Sequence, residues 1–155
     1  MRIGHGYDVH RLVPERRLVL CGVEIPYERG LLGHSDADAA VHALMDAVLG
    51  ALALGDIGHL FPDSDPEYKD ADSMRLLAEV VGIMREKGFS LGNADITIVA
   101  EKPKLAPYIG KMRENLAGAF GCGIERISVK ATTEEGLGLG GDGIGANAVV
   151  LIDEE

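Results

Sequence analysis

Three residues of metal-binding types lie at spacings that could bring them together. Asp8 and His10 are two positions apart in a segment that alternates like a β-strand, so both side chains should leave the same face. His42 follows in an Ala/Leu-rich segment typical of a helix buried against a sheet. One carboxylate and two imidazoles form a three-ligand zinc set with a fourth position open to substrate. A lone histidine on an apolar helix is more often an ordinary core residue, and spacing alone leaves both interpretations open.

Two acidic residues flank His42 at helical spacing. Asp38 and Asp46 lie four positions on either side of it, so either carboxylate could accept the second N–H of the imidazole and fix its tautomer. The alternative is that Asp38 is simply an acidic residue at the start of the helix and that Asp46 is a solvated side chain.

Further polar segments could bind phosphate. His34 and Ser35 precede the helix, where free amides and the positive end of the dipole attract anions, although Ser35 could equally be a plain N-cap. Residues 131–135 (ATTEE) close a strand with two hydroxyls and two carboxylates, which suit phosphate oxygens and Mg²⁺, or else form a solvated strand end. The acid- and proline-rich stretch 56–66 is either a binding loop or an ordinary turn.

A glycine motif does not support dinucleotide binding. Gly136, Gly138 and Gly141 match GxGxxG after a strand, but the dinucleotide fingerprint requires a helix next, and a strand follows instead. We expect a loop that approaches another part of the backbone closely.

Composition limits the classes of function. The chain has 155 residues, 46% of them hydrophobic, which predicts one domain spanning 1–155. We expect no membrane span, no secretory signal and a cytoplasmic location, because no apolar run approaches about 20 residues. The two cysteines are far apart and suggest no disulfide or zinc ribbon. A net charge of −10 argues against a nucleic-acid partner.

The periodicity of apolar residues predicts an α/β protein of the α+β type, with helices packed on a mixed sheet. The predicted helices are 36–54, 73–87 and 105–120, and the predicted strands are 1–13, 18–25, 95–98, 126–131 and 148–152. The strand order does not follow from these patterns.

Six motifs occur in collinear order over nearly the whole chain: RIGHGYDVH at 2–10, GHSDAD at 33–38 leading to His42, GDIG at 55–58, FPDSDP at 61–66, EKPK at 101–104 and VKATTEE at 129–135. None is decisive alone. Together they closely resemble the 2-C-methyl-D-erythritol 2,4-cyclodiphosphate synthases of the non-mevalonate isoprenoid pathway.

The resemblance implies a homotrimer around a sheet-lined axis, with each active site between neighbouring subunits and a mixed four-stranded main sheet covered by helices on one face. Asp8, His10 and His42 would hold Zn²⁺. Glu135 would help to hold a second divalent ion, Mg²⁺ or Mn²⁺. His34 and Thr133 match the family's transition-state stabilisers.

The reaction implied is cyclisation of 4-diphosphocytidyl-2-C-methyl-D-erythritol 2-phosphate: the 2-phosphate attacks the β-phosphate and CMP leaves. The resemblance also implies the substrate contacts, which are Asp8, His10, His34, Ser35, Asp56, Ile57, Gly58, Phe61, Pro62, Asp63, Ser64, Asp65, Ala100, Glu101, Lys102, Pro103, Lys104, Leu105, Ala106, Thr132, Thr133, Glu134, Glu135, Leu139 and Asp142.

Three positions depart from the pattern of many relatives. Leu139 replaces an aromatic residue, Asp142 replaces an Arg and Ile144 replaces an acid. These changes put in doubt a secondary property of some relatives, the binding of an isoprenoid diphosphate on the trimer axis, and we expect weak binding or none.

Two rival functions use the same residues. A zinc phosphohydrolase would activate water with the Asp-His-His set, and a non-catalytic module would bind metal and CDP compounds without releasing CMP. The combination of Thr132, Thr133 and Glu135 with His34 and Ser35 suits two bridged phosphates better than a free water.

Overall fold

The computed structural model describes residues 1–155 and contains seven strands and four α-helices. The strands are β1 (Arg2–Pro14), β2 (Leu18–Leu20), β3 (Val23–Ile25), β4 (Arg29–Leu31), β5 (Phe89–Val99), β6 (Ile127–Thr132) and β7 (Gly143–Glu154). The helices are α1 (Ala39–Ala51), α2 (Ile57–Leu60), α3 (Ser73–Glu86) and α4 (Ile109–Phe120). None of the helices is long and apolar enough to span a membrane.

The main sheet has the order β4-β1-β7-β5-β6 and is mixed. Neighbouring strands are antiparallel except for β5 and β6, which run parallel. The α+β class and the mixed sheet are therefore confirmed. The sheet has five strands rather than four, because β4 pairs with the last residues of β1, from Leu12 to Pro14.

Several predicted boundaries are wrong: β5 and β7 begin earlier than predicted, at Phe89 and Gly143, and α1 ends earlier, at Ala51. Two further errors have a local reason. The predicted strand 18–25 is a hairpin of β2 and β3, because Cys21 and Gly22 adopt positive φ values of 49° and 71° and reverse the chain. The helix predicted from residue 36 begins at Ala39, because Asp38, not Ser35, caps it by accepting the Val41 amide at 3.1 Å.

One face of the sheet carries the hydrophobic core. The even-numbered residues of β7, from Ile144 to Ile152, are fully buried beneath the helices, as the period of two along a strand requires. They belong to a single cluster of 42 buried residues to which α1, α3 and α4 also contribute.

Strand β1 and helix α1 touch backbone to backbone. A Cβ added to Gly4 would lie 1.8 Å from the Ala47 carbonyl oxygen, and one added to Gly6 would lie 1.9 Å from the Ala43 carbonyl oxygen. Only glycine permits this approach. Asp8 continues the same face of β1, and His42 adjoins Ala43 on the helix, so the contact directs the two side chains toward each other.

The opposite face of the sheet has no covering element in this chain. Its large apolar side chains stay exposed: Ile3 by 69%, Tyr7 by 52%, Val9 by 40% and Val149 by 38%. These four side chains lie on the adjacent strands β1 and β7, so they define one uncovered apolar face.

Gly6→Ala should destabilise the protein by about 2 kcal/mol or more, because its methyl group must push helix and strand apart. Gly50→Ala, on the helix α1 that Gly6 contacts, is the matched control: its added Cβ would meet no atom closer than the His5 carbonyl oxygen at 3.9 Å. The control should be neutral or stabilising by up to about 1 kcal/mol. Urea unfolding measures both, and equal stability of Gly6→Ala and the wild type would contradict the close contact.

Candidate active site

The Asp8 carboxylate lies between two imidazoles. Its Oδ2 is 2.8 Å from His10 Nε2 and 3.1 Å from His42 Nδ1. The three potential ligand atoms all lie within 4.8 Å of one another. The predicted convergence of these residues is therefore confirmed. β1 supplies two of them from one face, and the contact with α1 supplies the third.

The two histidines hold Asp8 in its ionised form. Burial alone would raise the pKa of Asp8, but the close contacts and charge interactions with His10 and His42 outweigh it and lower the pKa to about 2. Burial would lower the pKa of His10, but Asp8 reverses this and raises it. A proton therefore competes with a cation for the His10 ring.

The hydrogen bonding of His10 indicates that a cation fits between these residues. Its Nδ1 donates to the Leu32 carbonyl at 2.8 Å, which leaves Nε2 with a lone pair. Nε2 is buried and has no hydrogen-bond partner, because its close approach to Asp8 lacks hydrogen-bond geometry. A lone pair and a carboxylate that face each other at 2.8 Å call for a positive charge. The donor set of one carboxylate oxygen and two ring nitrogens fits a divalent metal.

The second nitrogen of His42 contacts hydroxyl groups. Nε2 lies 2.9 Å from Ser73 Oγ and 3.2 Å from Ser35 Oγ. If Nε2 carries the proton, Nδ1 keeps its lone pair toward Asp8. Spacing could not reveal Ser73, because it lies 31 residues after His42 and only the packing of α3 on α1 brings it there.

The expected hydrogen bonds from His42 to Asp38 and Asp46 are wrong. Asp38 is fully buried and accepts the amides of Cys21, Gly22 and Val41 at 3.0, 2.9 and 3.1 Å, so it joins the β2–β3 turn to the start of α1. Burial, partly offset by these amides, raises its pKa to about 6. Asp46 accepts the Ile57 amide at 2.8 Å. Both carboxylates therefore accept main-chain amides in place of the imidazole, and of these amides only that of Val41 is close in sequence.

A cleft of about 380 Å³ opens over the three residues. Several of the predicted contacts line this cleft, and so do Gly33, Tyr68 and Leu76, which were not predicted. The complete lining is Asp8, His10, Gly33, His34, Ser35, His42, Ile57, Gly58, Phe61, Asp63, Tyr68 and Leu76. Tyr68 packs edge-on against Phe61 with ring centroids 5.2 Å apart. The cleft therefore has a polar end at the three candidate ligands and an aromatic wall.

Four predicted contacts of the same loop stand beside the cleft instead of lining it: Asp56, Pro62, Ser64 and Asp65. Asp56 caps α2 through the His59 amide at 3.1 Å, and the His59 side chain lowers its pKa. The Asp65 carbonyl lies 3.2 Å from His34 Nε2, so this nitrogen donates to the loop.

A second cleft, of about 210 Å³, contains most of the other predicted contacts. Its lining is Ala100, Glu101, Pro103, Lys104, Leu105, Ala106, Ala131, Thr132 and Thr133. Glu101 accepts the amides of Glu134 and Gly136 at 3.2 and 3.1 Å and so fixes the following loop. Glu135 is exposed and is not part of the three-residue cluster. Lys102 lines a separate depression with Arg29.

The loop with Leu139 and Asp142 also lies apart from the first cleft. Glu134 accepts the Leu139 amide at 2.8 Å, and Arg29 donates to the Gly141 carbonyl at 3.0 Å. Arg29, on β4, thus brings a basic side chain to the loop of residues 136–142, which has no basic residue of its own.

The two clefts are separated by three strand spacings of the sheet. Asp8 pairs with Ala146, Ala146 with Ile98, and Ile98 with Ala131. Three strand spacings amount to about 14 Å. Within one chain, the metal-binding residues and the threonine segment therefore do not form one site.

The model of the YgbB family matches residues 1–153. A 2-C-methyl-D-erythritol 2,4-cyclodiphosphate synthase from Trichlorobacter lovleyi is 63% identical and covers 98% of each chain. The chain belongs to this synthase family. The synthase of the same name from Moorella thermoacetica is 65% identical over 98% of this chain and 94% of the relative.

Solved structures of the synthase family share the fold. A synthase structure in a CDP-bound form superposes with a TM-score of 0.92 at 42% identity, covering 98% of this chain and all of that one. The bifunctional IspDF from Campylobacter jejuni gives a TM-score of 0.95 at 43% identity, and the match covers 99% of this chain and 42% of that one.

Replacing His42 with Ala, or Asp8 with Asn, should remove most of the Zn²⁺ that the protein retains after dialysis, because an incomplete ligand set binds weakly. Elemental analysis measures the retained ion, and circular dichroism checks the fold. His5→Ala is the control, since His5 lies on the opposite face of β1 near Asn147. Equal zinc content in His42→Ala and the control would refute the assignment.

Proposed function

We propose that this chain is a 2-C-methyl-D-erythritol 2,4-cyclodiphosphate synthase. It converts 4-diphosphocytidyl-2-C-methyl-D-erythritol 2-phosphate into the cyclic 2,4-diphosphate and CMP. The observation that carries the proposal is the half-buried Asp8-His10-His42 cluster at the base of a cleft, with His10 Nε2 buried and without a hydrogen-bond partner, in a chain of this family. We place the enzyme in the cytoplasm, with no nucleic-acid or membrane partner.

Zn²⁺ is the proposed ion at Asp8, His10 and His42, because it accepts a mixed set of nitrogen and oxygen ligands and leaves a position for substrate. When bound, it supplies positive charge to a phosphoryl oxygen. Glu135 is the proposed protein ligand of the second ion, Mg²⁺ or Mn²⁺. Its carboxylate makes no hydrogen bond or ion pair in the chain and is free to bind a hard cation.

The hydroxyl of Thr133 can donate to a phosphate oxygen. Its oxygen accepts the Glu135 amide at 3.3 Å, which leaves its proton available. His34 stands at the rim of the first cleft with Nε2 directed to the loop carbonyl of Asp65. These two residues would stabilise the charge that develops as the phosphates approach each other. No general base is required, because the attacking phosphate is already ionised.

Each of the two clefts would bind one end of the substrate. The second cleft offers the ammonium group of Lys104 and the hydroxyl of Thr132 to the cytidine and diphosphate end. The first cleft offers Phe61 and its loop to the methylerythritol end. A solved relative with CDP bound supports a cytidine nucleotide as the ligand class.

A homotrimer would bring the two clefts together across a subunit boundary. Two features support it: the uncovered apolar face of β1 and β7, and the separation of the two clefts in one chain. Burying that face between copies would remove its side chains from water, and each active site would take its metal-binding residues from one subunit and Thr133 with Glu135 from the next.

The activity is tested by incubating the zinc-loaded protein and Mg²⁺ with the proposed substrate and following the products by phosphorus NMR. We expect a cyclic diphosphate and one CMP for each substrate consumed, and no turnover after removal of both ions with a chelator. Linear phosphate products would indicate a phosphohydrolase. Binding without CMP release would indicate a non-catalytic module.

Subunit complementation tests the shared site. His42→Ala should be inactive, and Glu135→Gln should turn over poorly and need more Mg²⁺. The two variants, unfolded and refolded together in equal amounts, should recover up to about a quarter of the wild-type rate. With random assembly, about one subunit boundary in four combines an intact His42 from one subunit with an intact Glu135 from the next. A rate equal to the mean of the separate variants would contradict a site between subunits, and light scattering reports the oligomeric state.

A further inference from the structure

Ser73 connects His42 to a carboxylate through its hydroxyl. Ser73 is the first residue of α3 and is fully buried. Its Oγ lies 2.9 Å from His42 Nε2 and also forms a hydrogen bond with Asp36 Oδ1. The Ser73 amide donates to Asp36 Oδ2 at 3.0 Å, so both carboxylate oxygens are engaged.

The donor and acceptor roles in this chain of contacts follow from proton counting. An ionised carboxylate can only accept, so the single proton of the Ser73 hydroxyl goes to Asp36. The Ser73 oxygen must then accept the proton on His42 Nε2. This assigns the Nε2–H tautomer to His42 and turns the lone pair of Nδ1 toward Asp8.

We propose that Ser73 and Asp36 are positioning residues that hold the His42 ring in the orientation and tautomer needed to bind a metal ion. The proposal rests on the metal site proposed above and adds two residues that have no contact with the ion. Residues that fix a ligating imidazole in this way commonly account for tenfold to a hundredfold in metal affinity.

Ser35 has a different place, although it also approaches His42. Its Oγ is farther from Nε2, at 3.2 Å, and accepts the Ala37 amide at 3.2 Å. Its proton remains free for a phosphate oxygen in the cleft that it lines. Ser73 thus orients the ring, and Ser35 is left to face the ligand.

Asp36 is itself held on two sides. Its Oδ1 accepts the Asp38 amide at 3.1 Å, and its own amide donates to the Ala71 carbonyl at 3.1 Å. The carboxylate therefore ties the start of α1, which carries His42, to the start of α3, which carries Ser73. The His42 ring therefore cannot rotate without breaking its contacts with Ser73 and Asp8.

The test is zinc affinity, measured by competition with a chromogenic chelator. Ser73→Ala should bind Zn²⁺ about tenfold to a hundredfold more weakly than the wild type. Asp36→Asn should weaken binding less, because the amide oxygen can still accept the Ser73 proton. In the zinc-loaded wild type, the Nε2 proton of His42 should give a slowly exchanging signal in a proton–nitrogen spectrum, and Ser73→Ala should lose it.

Asp72→Ala is the matched control. Asp72 precedes Ser73 and caps α3 through the Met74 amide at 2.9 Å, but it makes no contact with His42. It should lower the melting temperature and leave zinc affinity and the Nε2 proton unchanged.

Wild-type affinity in Ser73→Ala, or equal weakening by Asp72→Ala, would overturn the positioning role. Absence of zinc binding by the wild type would overturn the metal site itself, so the two failures are distinguishable.

Discussion

The direct contact between the backbones of β1 and α1 is the constraint on which the candidate active site depends. Gly4 and Gly6 leave no side chain between strand and helix, and Ala43 and Ala47 present carbonyl groups there. At the next position on the same face of the strand, the side chain of Asp8 meets His42 on the helix. The distance between Asp8 and the imidazole is thus set by main-chain packing, which side-chain motion cannot easily relax. Two glycines that line neither cleft are therefore part of the site's architecture.

The arrangement also explains how an acidic chain can accept an anionic substrate. The net charge is −10, and Asp8 stays ionised between its two histidines. A divalent ion at this point would reverse the local sign of the potential, because a bound cation is the largest charge in its surroundings. Asp38 and Asp46 point their carboxylates at main-chain amides instead, which offset part of their negative charge.

The sequence pattern predicted those parts of the site that depend on a single strand or helix. The two-residue spacing of Asp8 and His10 fixes a shared strand face, and the apolar setting of His42 fixes a buried helix. Tertiary packing decides the rest. Ser73 reaches His42 only because α3 packs on α1, and the amides nearest to Asp38 outcompete the imidazole four residues away. The separation of Asp8 from the threonine segment depends on strand order, since β7 and β5 lie between β1 and β6.

Hydrogen bonds that do not involve an ion fix the two candidate histidine ligands. The Leu32 carbonyl holds the His10 ring, and the Ser73 hydroxyl holds the His42 ring. The large hydrophobic cluster forms without them. Loss of the ion and loss of the fold should therefore be separate events, and the entropy cost of ordering the ligands falls on folding rather than on ion capture. A stripped but folded protein would accept whichever divalent ion of suitable size is offered. The metal found in the enzyme would then reflect cellular supply as much as the intrinsic preference of the three ligands.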